Sequence, residues 1–286
     1  MRLRNRQWRA GKGFWALIGC VCLCCAPSTK AQGALDSRVQ ASSVLLWDEG
    51  SKRALFQRDI HASHAPASTT KLMTALLVYE KTGLHGEVEI ASEDFPPGSG
   101  VATVRLLPGD RFAVADLVRA MLISSSNEAA FALARHTSGS VAAFVAEMND
   151  RAKRLGCEKT HFVNPEGITE PGHSTCASDL LRLFEAVLAV EPLRAICSME
   201  SYALLTTGGK AVQYLMNTNR LLGPYPGMGP AKTGYTREAR HTYAALCQRG
   251  ERKVALILLD SPNKWIDAVA LFDYAFGGKG GSEAGL

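Results

Sequence analysis

The chain has 286 residues, with 32 Lys and Arg against 27 Asp and Glu, a formal charge of +5, and 47% hydrophobic residues. Six of the basic residues (Arg2, Arg4, Arg6, Arg9, Lys12 and Lys30) and none of the acidic ones fall within the first 31 positions, so the remainder carries 26 against 27, a net of −1. That balance excludes a polycation face, and no nucleic-acid or membrane-surface partner is expected.

The positive start, the apolar stretch Phe14 to Ala26 and the small residues of Thr29-Lys30-Ala31 are the three parts of a secretory signal sequence. Its apolar stretch falls short of the ~20 residues of a membrane span. Cleavage after Ala31 leaves 255 residues and no span in the mature chain. The expected layout is 1–31 signal peptide, 32–276 one large domain, and 277–286 a disordered tail. Leu17-Ile18-Gly19-Cys20 fits a lipoprotein-processing box, but the apolar run before it is very short, so plain cleavage is preferred to an anchor at Cys20. Export places the protein in the periplasm or facing the cell wall. Four cysteines lie in the leader. Cys157, Cys176, Cys197 and Cys247 remain, without framework spacing, and read as mostly buried thiols with pairing open.

In chain order, Ser42–Trp47 and Arg53–Phe56 flank a polar turn and read as a β-hairpin. His61 and His64 lack a third ligand and read as a solvated loop. Pro66-Ala67 lead into Ser68-Thr69-Thr70-Lys71 and an apolar run to Tyr79, a buried helix beginning near Ser68. Val88 to Arg111 is turn-rich, with Arg111–Val114 strand-like. Ala115–Leu122 and Asn127–Ala134 have helical spacing and are joined by Ser124-Ser125-Ser126. Helices follow at Val141–Leu155 and Ser178–Ala189, with a turn at Thr160–Gly167 between them. Leu204–Gly209 and Val212–Met216 suggest a second hairpin, and Tyr225–Pro230 a loop. Thr242–Cys247 and Val254–Leu259 read as an antiparallel pair, and Trp265–Phe276 as a closing helix.

Chemistry gathers at three places. Residues three apart share a helix face, so Lys71 points where Ser68 points. A serine hydroxyl needs an adjacent base, and a buried lysine can serve as one when neutral. S-x-x-K is common by itself. Here it is followed by Ser125-x-Asn127 and then by Lys232-Thr233-Gly234, placed just before the terminal strand pair. S-x-x-K, S-x-N and K-T-G in this order are the signature of penicillin-interactive serine enzymes.

Pro66–Thr74, Asn164-Pro165-Glu166-Gly167 with Gly172-His173, and Lys232–Thr236 extend the likeness. The sequence from about Ser42 to Phe276 resembles the D-alanyl-D-alanine carboxypeptidase family, the low-molecular-weight penicillin-binding proteins. The resemblance implies a mixed α/β (α+β) fold of the β-lactamase/transpeptidase type: an antiparallel five-stranded sheet flanked by helices, plus an all-helical subregion. It implies that Ser68 attacks the bond between two D-alanines of a peptidoglycan stem peptide. Lys71 takes the proton, kept neutral with the help of like-charge repulsion from Lys232. Ser125 passes a proton to the leaving amine. Asn127 holds Lys71 and the substrate amide, and Lys232 and Thr233 bind the terminal carboxylate. The main-chain N–H groups of Ser68 and Tyr235, beside Gly234, form the oxyanion hole. No cofactor or metal is implied, and β-lactam antibiotics would act as covalent inhibitors. Asn164–Gly167 and His173 are expected to be structural.

The same chemistry serves a D,D-endopeptidase that cuts peptidoglycan cross-links, and nothing in the sequence separates the two. Asp260-Ser261-Pro262-Asn263 holds no Arg where some relatives place one for the substrate carboxylate. A β-lactamase would need a deacylating base, and no Glu-x-x-Leu-Asn segment is present. A non-catalytic module binding muropeptides or β-lactams is the alternative from another class.

Overall fold

The computed structural model describes residues 33, 35–98 and 103–277. The signal sequence, the leader cysteines and nearly all of the C-terminal tail lie outside them. An antiparallel sheet of five strands carries the domain, in the order β2-β1-β9-β8-β7. Its members are β1 (Ser43–Asp48), β2 (Arg53–Arg58), β7 (Met228–Thr236), β8 (Arg240–Arg249) and β9 (Arg252–Ser261). The first hairpin is thereby laid against the last strand, with Leu45 opposite Ile257.

The sheet is buried on both faces, and the period-2 alternation of β9 sorts its side chains between two cores. Leu256 and Leu258 join Val44, Leu46 and Tyr243 under the closing helix α7 (Lys264–Phe276). Ala255, Ile257 and Leu259 face a larger core supplied by helices. That body comprises α1 (Lys71–Thr82), α2 (Val114–Ile123), α3 (Asn127–Ser138), α4 (Val141–Arg154), α5 (Ala177–Ala189) and α6 (Glu191–Cys197). Helix α1 is buried at every position from Lys71 to Val78, so it is apolar all round and not striped. Short hairpins β3–β4 (Glu87–Glu89, Arg111–Ala113) and β5–β6 (Ser201–Leu205, Ala211–Met216) complete the described fold.

Element bounds differ from those expected. The helical run near Ser68 opens as a 3-10 turn and not as an α-helix. Ala67–Thr70 is a 3-10 turn, and α1 starts at Lys71. The Thr69 hydroxyl donates to the Pro66 carbonyl at 2.6 Å, a local bond that holds the tighter turn. Strand β7 starts at Met228, so part of the expected loop, and the whole Lys-Thr-Gly motif, is strand. Its pairing with β8 is irregular between Met228 and Ala231, which accommodates Pro230 on an edge strand. β8 and β9 also run further than their apolar cores and turn tightly at Gly250-Glu251. Helix α6 carries no periodic signal in its seven residues and holds Pro192 in its first turn.

His64 is not in a solvated loop. It is half-buried and pairs its main chain with Thr175. Cys157, Cys176, Cys197 and Cys247 are all free and buried. Among the described residues, no helix is long and apolar enough to cross a membrane, and no group of three or more His, Cys, Asp or Glu is placed to hold a metal ion.

Candidate active site

The 3-10 turn sets Ser68 against Lys71. At three residues per turn, positions i and i+3 eclipse, so Ser68 and Lys71 lie one above the other. Ser68 is half-buried and Lys71 fully buried. Lys71 Nζ sits 3.1 Å from Ser68 Oγ, 2.7 Å from Asn127 Oδ1 and 2.6 Å from the Glu166 carbonyl oxygen. Burial lowers the Lys71 ammonium to about 7, against the opposing pull of the Glu166 and Glu128 carboxylates. Desolvation, and not repulsion from Lys232, is therefore the leading cause. A neutral amine has two N–H bonds and one lone pair. Asn127 Oδ1 and the Glu166 carbonyl take the two N–H bonds, so the lone pair faces the Ser68 hydroxyl.

The three consecutive serines separate by partner. Ser124 Oγ donates to the Met216 carbonyl at 3.1 Å. Ser126 caps α3, accepting from Ala129 N and donating to Glu128. Ser125 turns the other way, with φ at +63°, a left-handed conformation that costs a non-glycine residue on the order of 1–2 kcal/mol. In return its Oγ lies 2.9 Å from Lys232 Nζ. Lys232 is fully buried, donates also to the Thr233 carbonyl, and is held well below the usual lysine range, first by burial and then by the charge of Lys71. Lys71 thus joins Ser68 to Asn127, and Lys232 joins the Ser125 hydroxyl to the Thr233 carbonyl.

Gly234 explains how β7 reaches Ser68. A Cβ there would collide with Thr242 Oγ1 and lie 2.8 Å from Ser68 N. Only a bare backbone lets the edge strand pass so close. Thr242, on β8, donates to the Pro66 carbonyl at 2.9 Å and ties the sheet to the turn that carries Ser68. The residue before the nucleophile, Ala67, is itself left-handed, at φ +47°. Thr233 Oγ1 donates to Thr218 Oγ1 at 2.7 Å, and Tyr235 is 60% exposed, stacked 4.7 Å from His241.

Asn164–Gly167 forms the expected turn: Asn164 Oδ1 accepts from Gly167 N at 2.8 Å, and Thr74 Oγ1 donates to the Pro165 carbonyl. Gly167 has φ +96°, and a Cβ on it would collide with the Ala67 carbonyl. His173 is buried and neutral, lowered to about 4 mainly by burial, with Thr70 Oγ1 2.9 Å from its Nε2. The turn does more than shape the chain, because its Glu166 carbonyl grips Lys71. That contact is made by main chain and leaves no signal in residue type.

A second feature was not anticipated. A cleft of about 570 Å³ beside Thr233 is lined by Arg220, His241, Asn263 and Lys264. Lys264 Nζ lies 3.0 Å from His241 Nδ1. Burial, then Arg220, lowers Lys264 to about 8, so it is positive at neutral pH. Lys264 follows directly on the Asp260-Ser261-Pro262-Asn263 segment, which itself holds no Arg. A further cavity of about 760 Å³ opens at the other end of β7 among mixed charges and touches none of the motif residues.

Residues 28–263 match the family model described as D-alanyl-D-alanine carboxypeptidase (peptidase S11). The chain is similar to the D-alanyl-D-alanine carboxypeptidase DacF of Bacillus subtilis, 34% identical over 271 residues, covering 91% of this chain and 69% of the relative. It is also similar to a D-alanyl-D-alanine endopeptidase of Pseudomonas aeruginosa, 30% identical over 277 residues, covering 92% and 85%. The crystal structure of a D-alanyl-D-alanine carboxypeptidase from Mycobacterium tuberculosis superposes with a TM-score of 0.76 at 30% identity, over 84% of this chain and 92% of that one. With the five-stranded sheet, the eclipsed Ser68-Lys71 pair and a family match spanning most of its length, the chain belongs to the D-alanyl-D-alanine carboxypeptidase family of serine peptidases.

Proposed function

We propose that the protein works in the periplasm or against the cell wall, and that it trims peptidoglycan stem peptides through an acyl-enzyme on Ser68. The observation that carries the residue roles is the Lys71 amine, whose two N–H bonds are taken and whose lone pair faces Ser68 Oγ. As Ser68 attacks the carbonyl between the two D-alanines, its proton passes to Lys71. The main-chain N–H groups of Ser68 and Tyr235 hold the oxyanion, with Gly234 allowing the approach. Collapse breaks the C–N bond, Ser125, linked to Lys232, gives its proton to the departing amine, and the proton held on Lys71 replaces it, which leaves Lys71 neutral again. Water, deprotonated by Lys71, then releases the product. Asn127 orients Lys71 and the substrate amide. A β-lactam follows the first half of this path.

Lys232 has spent its donors on Ser125 and the Thr233 carbonyl, and burial disfavours its charge. It serves the proton path better than the substrate carboxylate. The carboxylate is assigned to the neighbouring cleft, where Thr233, Lys264 and Arg220 converge. Lys264→Ala is expected to raise KM ten- to a hundredfold for a peptide ending in a free carboxylate, the worth of about one charge-assisted hydrogen bond. The same substitution should leave KM for the C-terminal amide unmoved. Since Lys264 loses its charge as pH rises through about 8, native KM should climb above that pH and the variant's should not.

A second reading, cleavage of cross-links, is favoured by the similarity to the Pseudomonas endopeptidase. It differs only in the leaving amine. Mass spectrometry of products from monomeric pentapeptide muropeptide and cross-linked dimer, incubated together, decides. Free D-alanine from the monomer supports the carboxypeptidase. Loss of dimer without D-alanine supports the endopeptidase, and no product from either overturns both.

A further inference from the structure

One face of the β5–β6 hairpin packs on the helices, and the other is bare among the described residues. Leu204 and Leu215 are buried, and the Tyr202 hydroxyl donates to Asp116 on α2 at 2.7 Å. Period 2 puts Tyr214 and Met216 on the outer face, with Ala203 and Ser201 opposite them on β5. Tyr214 is 63% and Met216 62% exposed, and Ala203 is exposed as well. Neither Ser201–Leu205 nor Ala211–Met216 holds a charged residue. Both strands are edges of a two-stranded sheet, where lysines, prolines or inward charges ordinarily prevent unwanted pairing. An uncharged apolar face left open in this way marks a binding surface.

The hairpin is rooted at the cleft. Ser124, the neighbour of Ser125, donates from Oγ to the Met216 carbonyl at 3.1 Å, and Thr218 N donates to the Ile123 carbonyl at 3.1 Å. Asn217 and Thr218, which follow Met216, line the cleft assigned above to the substrate carboxylate. The Tyr214 hydroxyl pairs with Ser201 Oγ at 2.7 Å, and Ser201 stands opposite Met216. The ring is therefore tethered toward the cleft end of the face. Met216 and Tyr214 are two residues apart, so an apolar strip leads about 7 Å outward from the lip of the cleft.

That lip is the leaving-group side. The departing D-alanine carries the carboxylate held beside Thr233 and takes its proton from Ser125, and it ends there. In a cross-linked substrate the departing amine belongs to a second stem peptide, which has to continue past the cleft. We propose that the outer face of β5–β6, centred on Tyr214 and Met216, binds this second stem peptide and gives the enzyme access to cross-links. The proposal rests on the acyl-enzyme reading above and deepens it. The chemistry is unchanged. The bond that breaks joins a D-alanine carbonyl carbon to the second stem's nitrogen, Ser125 supplies that nitrogen's proton, and water then releases the acyl half from Ser68. The strip suits such a ligand, because methyl and methylene groups of the stem can lie against the ring and the thioether, and no charge on the face has to lose its water.

The test measures cleavage of cross-linked muropeptide dimer, D-alanine release from monomeric pentapeptide, and acylation by a chromogenic β-lactam. It compares the native protein, the double variant Tyr214→Ser with Met216→Ser, and Ala203→Arg, which fills the strip without removing any contact. The double variant should lower kcat/KM for the dimer about tenfold, through KM, the worth of one partly covered apolar side chain. D-alanine release and β-lactam acylation, which need nothing beyond the cleft, should stay within about twofold of native. Ala203→Arg should show the same split. A dimer rate that neither variant lowers overturns the proposal, and so does an equal loss on all three substrates. A native protein that releases D-alanine and leaves the dimer whole also overturns it, and spares the acyl-enzyme reading. A native protein that acts on neither muropeptide fails that reading, and the proposal with it. Sedimentation of the native protein and the double variant checks the other occupant. A native pair of chains that the variant separates makes the face a contact between copies and overturns the proposal.

Discussion

Ser68→Ala is expected to release no D-alanine from a pentapeptide muropeptide, a loss in kcat on the scale of about 10⁶, as when a serine peptidase loses its nucleophile. Labelling by a fluorescent penicillin should vanish with it. The fold should survive. Ser68 is half-buried, and its hydroxyl meets only Lys71 among the site contacts described above, at 3.1 Å. Lys71 keeps Asn127 Oδ1 and the Glu166 carbonyl. The melting temperature should therefore shift by only a few degrees, which separates a lost nucleophile from a lost structure. Residual turnover within tenfold of the native rate would place the nucleophile elsewhere.

Lys71→Ala should slow acylation by about 10²–10⁴, the usual worth of a positioned general base. The pH profile carries the sharper signature. Burial lowers Lys71 to about 7, and only the neutral amine can accept the Ser68 proton. Native acylation should rise as pH climbs through about 7, and this limb should be missing from Lys71→Ala. Lys71→Arg keeps a positive charge that does not titrate in this range, and it should acylate as poorly as the alanine variant. If arginine restored the rate, charge rather than proton transfer would be the contribution of Lys71. Removing Lys71 also takes the donor from the buried Glu166 carbonyl, a cost of about 1–3 kcal/mol for an unsatisfied group. Some loss of stability should accompany the loss of rate.

The elements legible in the sequence are those whose signal is local. The β1–β2 hairpin, the α1 run and the β8–β9 pair announce themselves through contiguous apolar residues. Strand β7 does not. Gly229, Pro230 and Gly234 give it the composition of a loop, because an edge strand tolerates proline and the close pass by Ser68 demands glycine. The sheet order that brings β1 beside β9 is set by packing across some two hundred residues, and no local pattern encodes it. In the site, Ser68, Lys71, Asn127 and Lys232 are readable because the three motifs are patterns of side chains. The grip of Glu166 on Lys71 is not, since any residue supplies a carbonyl. The turn residues there were expected to be structural. Arg220 and Lys264 lie 44 positions apart and become neighbours only when α7 folds back over the sheet.

The left-handed Ala67 and Ser125, one at each side of the cleft, set the active chain apart from the most stable one. Such conformations cost on the order of 1–3 kcal/mol each. Ser125→Gly would relax one of them and, by the same step, remove the hydroxyl that faces Lys232. Selection for heat resistance alone would thus drift toward a better-behaved but idle protein. Stabilisation of this enzyme is better sought away from the cleft, for instance where α7 closes over the sheet, than in the turns that hold its motifs.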